Sequence, residues 1–177
     1  MRIILLHMKP ETLHFDSLDT RDCPYYLLTR ASLSTTSEFK KAFTEAGIGH
    51  IKPAYLGVLM CLWKDECLNE TLGKLGTPDG IKIADLGRCA GLEPSSMTGI
   101  IDRMERDGLL RRVDDPEDRR AQNIHLTDEG NRIRNIVVIA VNAALRKSFA
   151  GIDPGQLAVF TEVLRQVLIN TNRGDIS

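Results

Sequence analysis

Aromatic side chains are scarce. One Trp, three Tyr and five Phe among 177 residues leave the core to aliphatic groups. No apolar run reaches the roughly 20 residues of a membrane span, so no membrane partner is expected. The opening Met-Arg-Ile-Ile-Leu-Leu-His-Met gives way to charge too soon for a good signal peptide, and a cytoplasmic location is expected. A Gly-rich phosphate loop, H-E-x-x-H, G-x-S-x-G and a plausible pair of catalytic carboxylates are all missing. Neither an enzyme nor a cofactor is therefore expected. The four cysteines, Cys23, Cys61, Cys67 and Cys89, form no C-x-x-C pair, and no His stands at zinc-ligand spacing beside them. No metal is expected, and free thiols are. Excess positive charge is missing too. The net charge is −1, so a nucleic-acid partner would require basic groups segregated in space rather than in number.

What is present is a series of helices punctuated by glycine and proline. Residues 1–21 show no sustained period and read as an arm. From Asp22 to Ala46 the residues Tyr25, Leu28, Phe39, Ala42 and Phe43 keep roughly helical spacing, and Gly47 is a stop. Pro53 can open a second helix, where its missing N–H costs nothing. Its apolar face is Tyr55, Leu56, Leu59, Met60 and Trp63. Gly73, Gly76, Pro78 and Gly80 mark residues 64–80 as a loop. Ile81-Lys82-Ile83 reads as a short strand, and Ala84 to Ala90 as a helix ended by Gly91.

Pro94 to Asp107 carries Met97, Ile100, Ile101 and Met104 at i, i+3, i+4 and i+7, the stripe of a helix with one buried face, and Gly108 ends it. Leu109–Val113 and Asn123–Leu126 read as two strands around a turn at Asp114–Arg120, where Asp-Asp-Pro favours a reversal. Thr127 is a good N-cap, and Asp128 and Glu129 suit the positive end of a helix running to about Phe149. Asp153-Pro154 opens a last helix with Leu157, Phe160, Leu164, Val167 and Leu168. The fold class is thus mainly α with a small β-wing. The helix–turn–helix and wing span 51–126, between a first dimerisation helix (22–50) and C-terminal dimerisation helices (127–170), with a tail at 171–177. The flanking helices carry more apolar surface than one small module covers, so a homodimer is expected.

Residues 92–127 resemble the winged-helix core of MarR-type bacterial transcription regulators. The resemblance rests on Leu-Glu-Pro-Ser-Ser-Met-Thr, Ile-Asp-Arg-Met-Glu-Arg-Asp-Gly-Leu-Leu-Arg-Arg, Asp-Pro-Glu-Asp-Arg-Arg and the later Leu-Thr-Asp-Glu-Gly. It extends more loosely over about 22–170. It implies a homodimeric regulator that reads a pseudo-palindromic stretch of double-stranded DNA and is often released by a small ligand or by thiol oxidation. The loop at 64–80 is longer than the family usually has. Ala84, Gly87 and Gly99 also depart from its common residues. Close helix packing would compensate at Gly87. Gly99 either lets the helix approach DNA or removes a base contact.

With the apolar stripe turned inward, Ser95, Ser96, Thr98, Gly99 and Arg103 are the expected groove-facing residues. Small hydroxyl side chains let the backbone approach phosphates and bases, and an arginine fork fits guanine. The alternative for Arg103 is pairing with Asp102, Glu105 or Asp107. In the wing, Asp118 can hold and aim Arg120 from the same strand face towards a minor groove, with Arg119 on phosphate. Arg111 and Arg112 are expected either near phosphate or on a solvated strand face.

Two triggers are open. Cys23, near the start of the first long helix, resembles in position the peroxide-sensing cysteine of one branch of the family. Phe39 and Lys52, however, stand where that branch supplies tyrosine hydroxyls. An aromatic or phenolic ligand is the other trigger, with Tyr25, Tyr26, Tyr55 and Trp63 as pocket candidates and core packing as their alternative. Cys61 and Cys89 read as core residues, and Cys67 as part of the loop. A winged helix that contacts protein instead of DNA remains a further reading.

Overall fold

The computed structural model describes residues 21, 23–63, 80–115 and 122–171. Residues 1–20, most of the loop at 64–80, the wing tip and the tail at 172–177 lie outside them. Helix α1 spans Pro24–Glu45, and a single 3₁₀ turn, Pro53–Tyr55, leads into α2, Leu56–Leu62. After the loop come β1 (Ile81–Lys82), α3 (Ile83–Ala90) and α4 (Pro94–Arg106). Strands β2 (Leu110–Asp114) and β3 (Gln122–Leu126) follow, then α5 (Asp128–Arg132), α6 (Arg134–Ser148) and α7 (Pro154–Thr171).

The helix–turn–helix is α3 and α4. Gly91 closes α3 at φ 64°, a left-handed geometry that glycine adopts without cost. The close packing expected to compensate for Gly87 is not found, because a Cβ there would meet its neighbours only at ordinary contact distance. A Cβ there would lie 3.4 Å from the Leu92 carbonyl oxygen and 3.7 Å from Met97 Cγ. On α4 the inward residues are Met97, Ile100, Ile101 and Met104, all buried. They meet Leu86 of α3, Leu59 of α2 and Ile124 of β3 in one aliphatic core.

The sheet has three antiparallel strands in the order β1-β3-β2. Its register pairs Ile81 with Ile124, Arg112 with Ile124 and Leu110 with Leu126. Thr127 performs the expected cap: its Oγ1 accepts from Gly130 N at 3.0 Å and donates to the Gly108 carbonyl at 2.6 Å. The helix expected to run unbroken from there to Phe149 is loosened at Ile133. The i to i−4 bonds nevertheless continue from Ile133 N to Glu129 O and from Val137 N to Ile133 O, so the chain keeps its direction.

Helix α1 packs along α6, joined by the Glu38–Lys147 ion pair at 2.6 Å and by Phe43 in the core. Lys147 and Lys41 together hold the Glu38 carboxyl down at about 2. The surplus apolar surface read from the sequence is present. Helix α7 buries none of its residues, and Val163, Leu168 and Ile169 are about half exposed. At the start of α1, Tyr25, Leu27 and Leu28 are exposed as well.

One sequence expectation about cysteine is corrected. Cys61 and Cys89 are not free core thiols; they form a disulfide between α2 and α3. Two cysteines on facing helices of one small core come into reach only in three dimensions, and their spacing of 28 residues gives no sign of it. Cys23 is free and partly buried at the N-cap of α1. Cys67 lies outside the described residues. No helix of the described chain is long and apolar enough to cross a membrane.

Candidate nucleic-acid interface

Helix α4 begins at Pro94 behind an extended Glu93 whose side chain makes no cap bond. Its first-turn N–H groups therefore have no side-chain cap. Ser95, Ser96 and Thr98 are exposed beside them. Thr98 Oγ1 donates back to the Pro94 carbonyl at 3.2 Å. Gly99 has open space around it, with nothing within 4 Å of the position a Cβ would take. Internal packing thus gives no reason for a glycine here; what remains is a smooth, small-residue face at the head of the helix.

Further along that face Arg103 is exposed and makes no ion pair among the described residues. Its possible partners are engaged elsewhere. Asp102 and Glu105 both hold Arg112, which reaches across from β2. Glu105 also accepts from the Arg112 backbone N–H at 3.1 Å. Asp107 accepts from the Tyr55 hydroxyl at 2.8 Å.

The expectation that Arg112 stands near phosphate or on a solvated face is thereby corrected. Its side chain is only 18% exposed and is occupied by two carboxylates. Burial opposes its charge, but the hydrogen bonds and charges of Asp102 and Glu105 prevail and raise its pKa. Arg112 braces the wing against α4, while Arg111, one residue away on the pleat, is exposed. Asp118, Arg119 and Arg120 lie outside the described residues. The described ends of β2 and β3 are tied in, since Asp115 is buried, pairs with Lys82 at 3.2 Å and accepts from Asn123 at 3.4 Å.

The pocket candidates do not converge. Tyr55 is 1% exposed and Trp63 is 7% exposed. Tyr25 and Tyr26 sit on the outer surface of α1. Of the two readings open for Tyr55 and Trp63, core packing is the one found. Each buries its ring in the core and spends its polar tip on a structural bond. Burial, then the bond to Asp107, pushes the Tyr55 hydroxyl up to about 12. Trp63 Nε1 donates to the Gly130 carbonyl at 2.9 Å, linking the end of α2 to the first turn of α5. Among the described residues, two of the open clefts have volumes of about 750 Å³, and none of the four aromatics lines either. One lies between α1, α6 and α7, the other between α3, the head of α4 and the strand ends.

Sequence reasoning missed the Arg112 brace. Its one available signal was the spacing of seven between Glu105 and Arg112 across the Gly108 reversal, which folds β2 back beside α4.

Comparison with known proteins bears on this arrangement. Residues 53–121 match the model of the MarR family. A helix–turn–helix transcriptional regulator of Bacillus subtilis, YsmB, is 36% identical over 85 residues, which are 48% of this chain and 58% of that protein. The chain thus spans under two thirds of the length of that relative. A MarR-family regulator from Rhodococcus sp. RHA1 superposes with a TM-score of 0.67 at 26% identity, covering 88% of this chain and 99% of the other. Sco3205 of Streptomyces coelicolor, solved in complex with DNA, has a TM-score of 0.64 at 22% identity and covers 82% of this chain and 84% of its own. These similar proteins are transcriptional regulators, not enzymes.

Proposed function

Because residues 53–121 match the model of the MarR family, we propose that the chain is a homodimeric, sequence-specific DNA-binding regulator, a repressor released by a small ligand. The observation that carries this reading is the division of labour on α4. Its carboxylates are engaged inward and sideways by Arg112 and Tyr55, while Ser95, Ser96, Thr98, Gly99 and Arg103 remain outward and open. A helix so arranged presents donors to a groove with Asp102 and Glu105 paired to Arg112, which lessens the objection raised by the near-neutral composition.

In this reading the head of α4 enters the major groove and Arg103 reaches a base edge or phosphate. Arg120, aimed by Asp118, enters the neighbouring minor groove, and Arg111 and Arg119 contact phosphate. A second copy covers α7 and the exposed start of α1, setting two such units at a fixed spacing on a pseudo-palindrome. The apolar exposure of both helices supports that partition into a DNA-binding module and dimerisation helices. Release by a small aromatic ligand completes the reading, with Tyr25 and Tyr26, at the edge of the proposed dimer face, the candidates that lie outside the core.

Footprinting on DNA immediately upstream of the protein's own gene tests it. Two protected half-sites about one helical turn apart are expected. Protection indistinguishable from that of random DNA would favour a winged helix used for protein contact.

A further inference from the structure

Helices α2 and α3 approach closely along one line. A Cβ on Gly57 would lie 3.4 Å from Ala90 Cβ, and one turn further along α2 stands Cys61, facing Cys89. The two are joined, with Cα atoms 6.5 Å apart. Flanking residues Val58, Leu59 and Leu86 are buried in the shared core, so apolar packing holds the sulfurs near each other even without the bond. Both cysteines are only partly buried, so small reagents can reach them.

The position of this pair gives it leverage. The chain otherwise connects α2 to α3 only through residues 64–80, which contain Gly73, Gly76 and Gly80. Helix α3 in turn carries α4. Leu92 N donates to the Gly87 carbonyl at 2.9 Å across the Gly91 turn, and Met97 packs on Gly87. A covalent tie from α2 to α3 therefore restrains the recognition helix.

We propose that Cys61 and Cys89 are a reversible dithiol–disulfide switch that locks the helix–turn–helix onto α2 and so raises affinity for DNA. The affinity part rests on the DNA-binding reading above; the lock does not. The reaction partner is a small-molecule disulfide. One cysteine thiolate attacks it and expels a thiol, leaving a mixed disulfide on the protein. The second cysteine attacks the protein sulfur of that mixed disulfide and expels the second small thiol. Two protein S–H bonds are lost and one S–S bond forms. Two electrons and two protons pass to the small disulfide, which ends as two thiols. Excess small thiol reverses both steps.

The full chain, equilibrated in oxidised or in reduced glutathione, tests this by alkylation mapping, amide exchange and titration of upstream DNA. Oxidised protein should link Cys61 to Cys89, leave Cys23 and Cys67 alkylated, and exchange the α3 amides about tenfold more slowly than reduced protein. It should also bind DNA about tenfold more tightly. Cys67→Ser should keep the whole response, and Cys61→Ser should abolish it. A Cys61 linkage to Cys67, or equal α3 exchange in the two buffers, overturns the lock. Slower exchange with unchanged DNA affinity overturns its effect on recognition. Failure of both forms to bind any upstream DNA instead removes the DNA-binding reading, and mapping and exchange then decide the lock alone.

Discussion

Arg112 of β2 and Glu105 of α4 bind each other through both side chain and backbone, because Gly108 folds the strand back alongside the helix. Asp102 takes the remaining side of the same guanidinium. One arginine thus joins α4 to the wing and pairs with two carboxylates that stay partly exposed. Its neighbours Arg103 and Arg111 are left outward.

Arg112 and Arg103 should accordingly separate stability from recognition. Arg112→Ala leaves two carboxylates without their partner and should cost about 1–3 kcal/mol in urea unfolding. Arg103→Ala, with no internal ion pair to lose, should stay within about 0.5 kcal/mol of wild type. That second variant should weaken DNA binding by about tenfold, as expected for loss of one arginine contact. Equal stability losses in the two variants would contradict the brace.

Tyr55→Phe should remove the bond to Asp107 while keeping the ring in the core. A loss of about 1 kcal/mol is expected, read as a lower urea midpoint with an unchanged slope. The Asp107 carboxylate loses only a neutral donor, so DNA affinity should change little.

Gly130 sits at the joint between wing, α2 and α5. A Cβ there would collide with the Leu109 carbonyl, and its own carbonyl is taken by Trp63. Gly130→Ala should destabilise the fold by about 3 kcal/mol, near the upper end for overpacking. Trp63→Phe should cost less, about 1 kcal/mol for the lost bond plus a packing loss. A Gly130→Ala protein that melts with the wild type would show the joint to be wrongly described.

Acid should loosen α1 from α6. The Glu38 carboxyl is lowered from 4.5 to about 2 by its bonds to Lys147 and Lys41. A carboxyl depressed on folding adds stability above its unfolded value and loses it as pH falls through the folded value. The contribution should therefore be full above about pH 4.5 and fade towards pH 2. Glu38→Gln should flatten that part of the stability profile, while leaving the slope above pH 5 unchanged. A variant profile parallel to wild type throughout would remove the Glu38–Lys147 link.

Local signals were legible in the sequence where the chemistry is local. The Thr127 cap, the Gly91 and Gly108 stops and the Met97–Met104 stripe each follow from a few adjacent residues. The Ile133 loosening was not legible, since nothing in the Arg132–Arg134 sequence breaks a helix. Nor were the tertiary pairings. Arg112, Cys61, Tyr55 and Trp63 each have more than one reasonable neighbour until the helices pack. The two aromatics left two readings open because an amphipathic ring suits a ligand cleft and a core with one polar partner equally well.

The most direct test of the DNA-binding account is anisotropy of labelled upstream DNA, titrated across a salt series with wild type and Arg120→Ala. Wild type should bind saturably, with affinity falling steeply with salt, by about 0.9 in log–log slope for each phosphate contacted. Arg120→Ala should keep the wild-type assembly mass and lose at least about tenfold in affinity, as expected for loss of a wing contact of about 1–3 kcal/mol. Equal affinity of the two proteins, or binding that is flat with salt, would contradict the account.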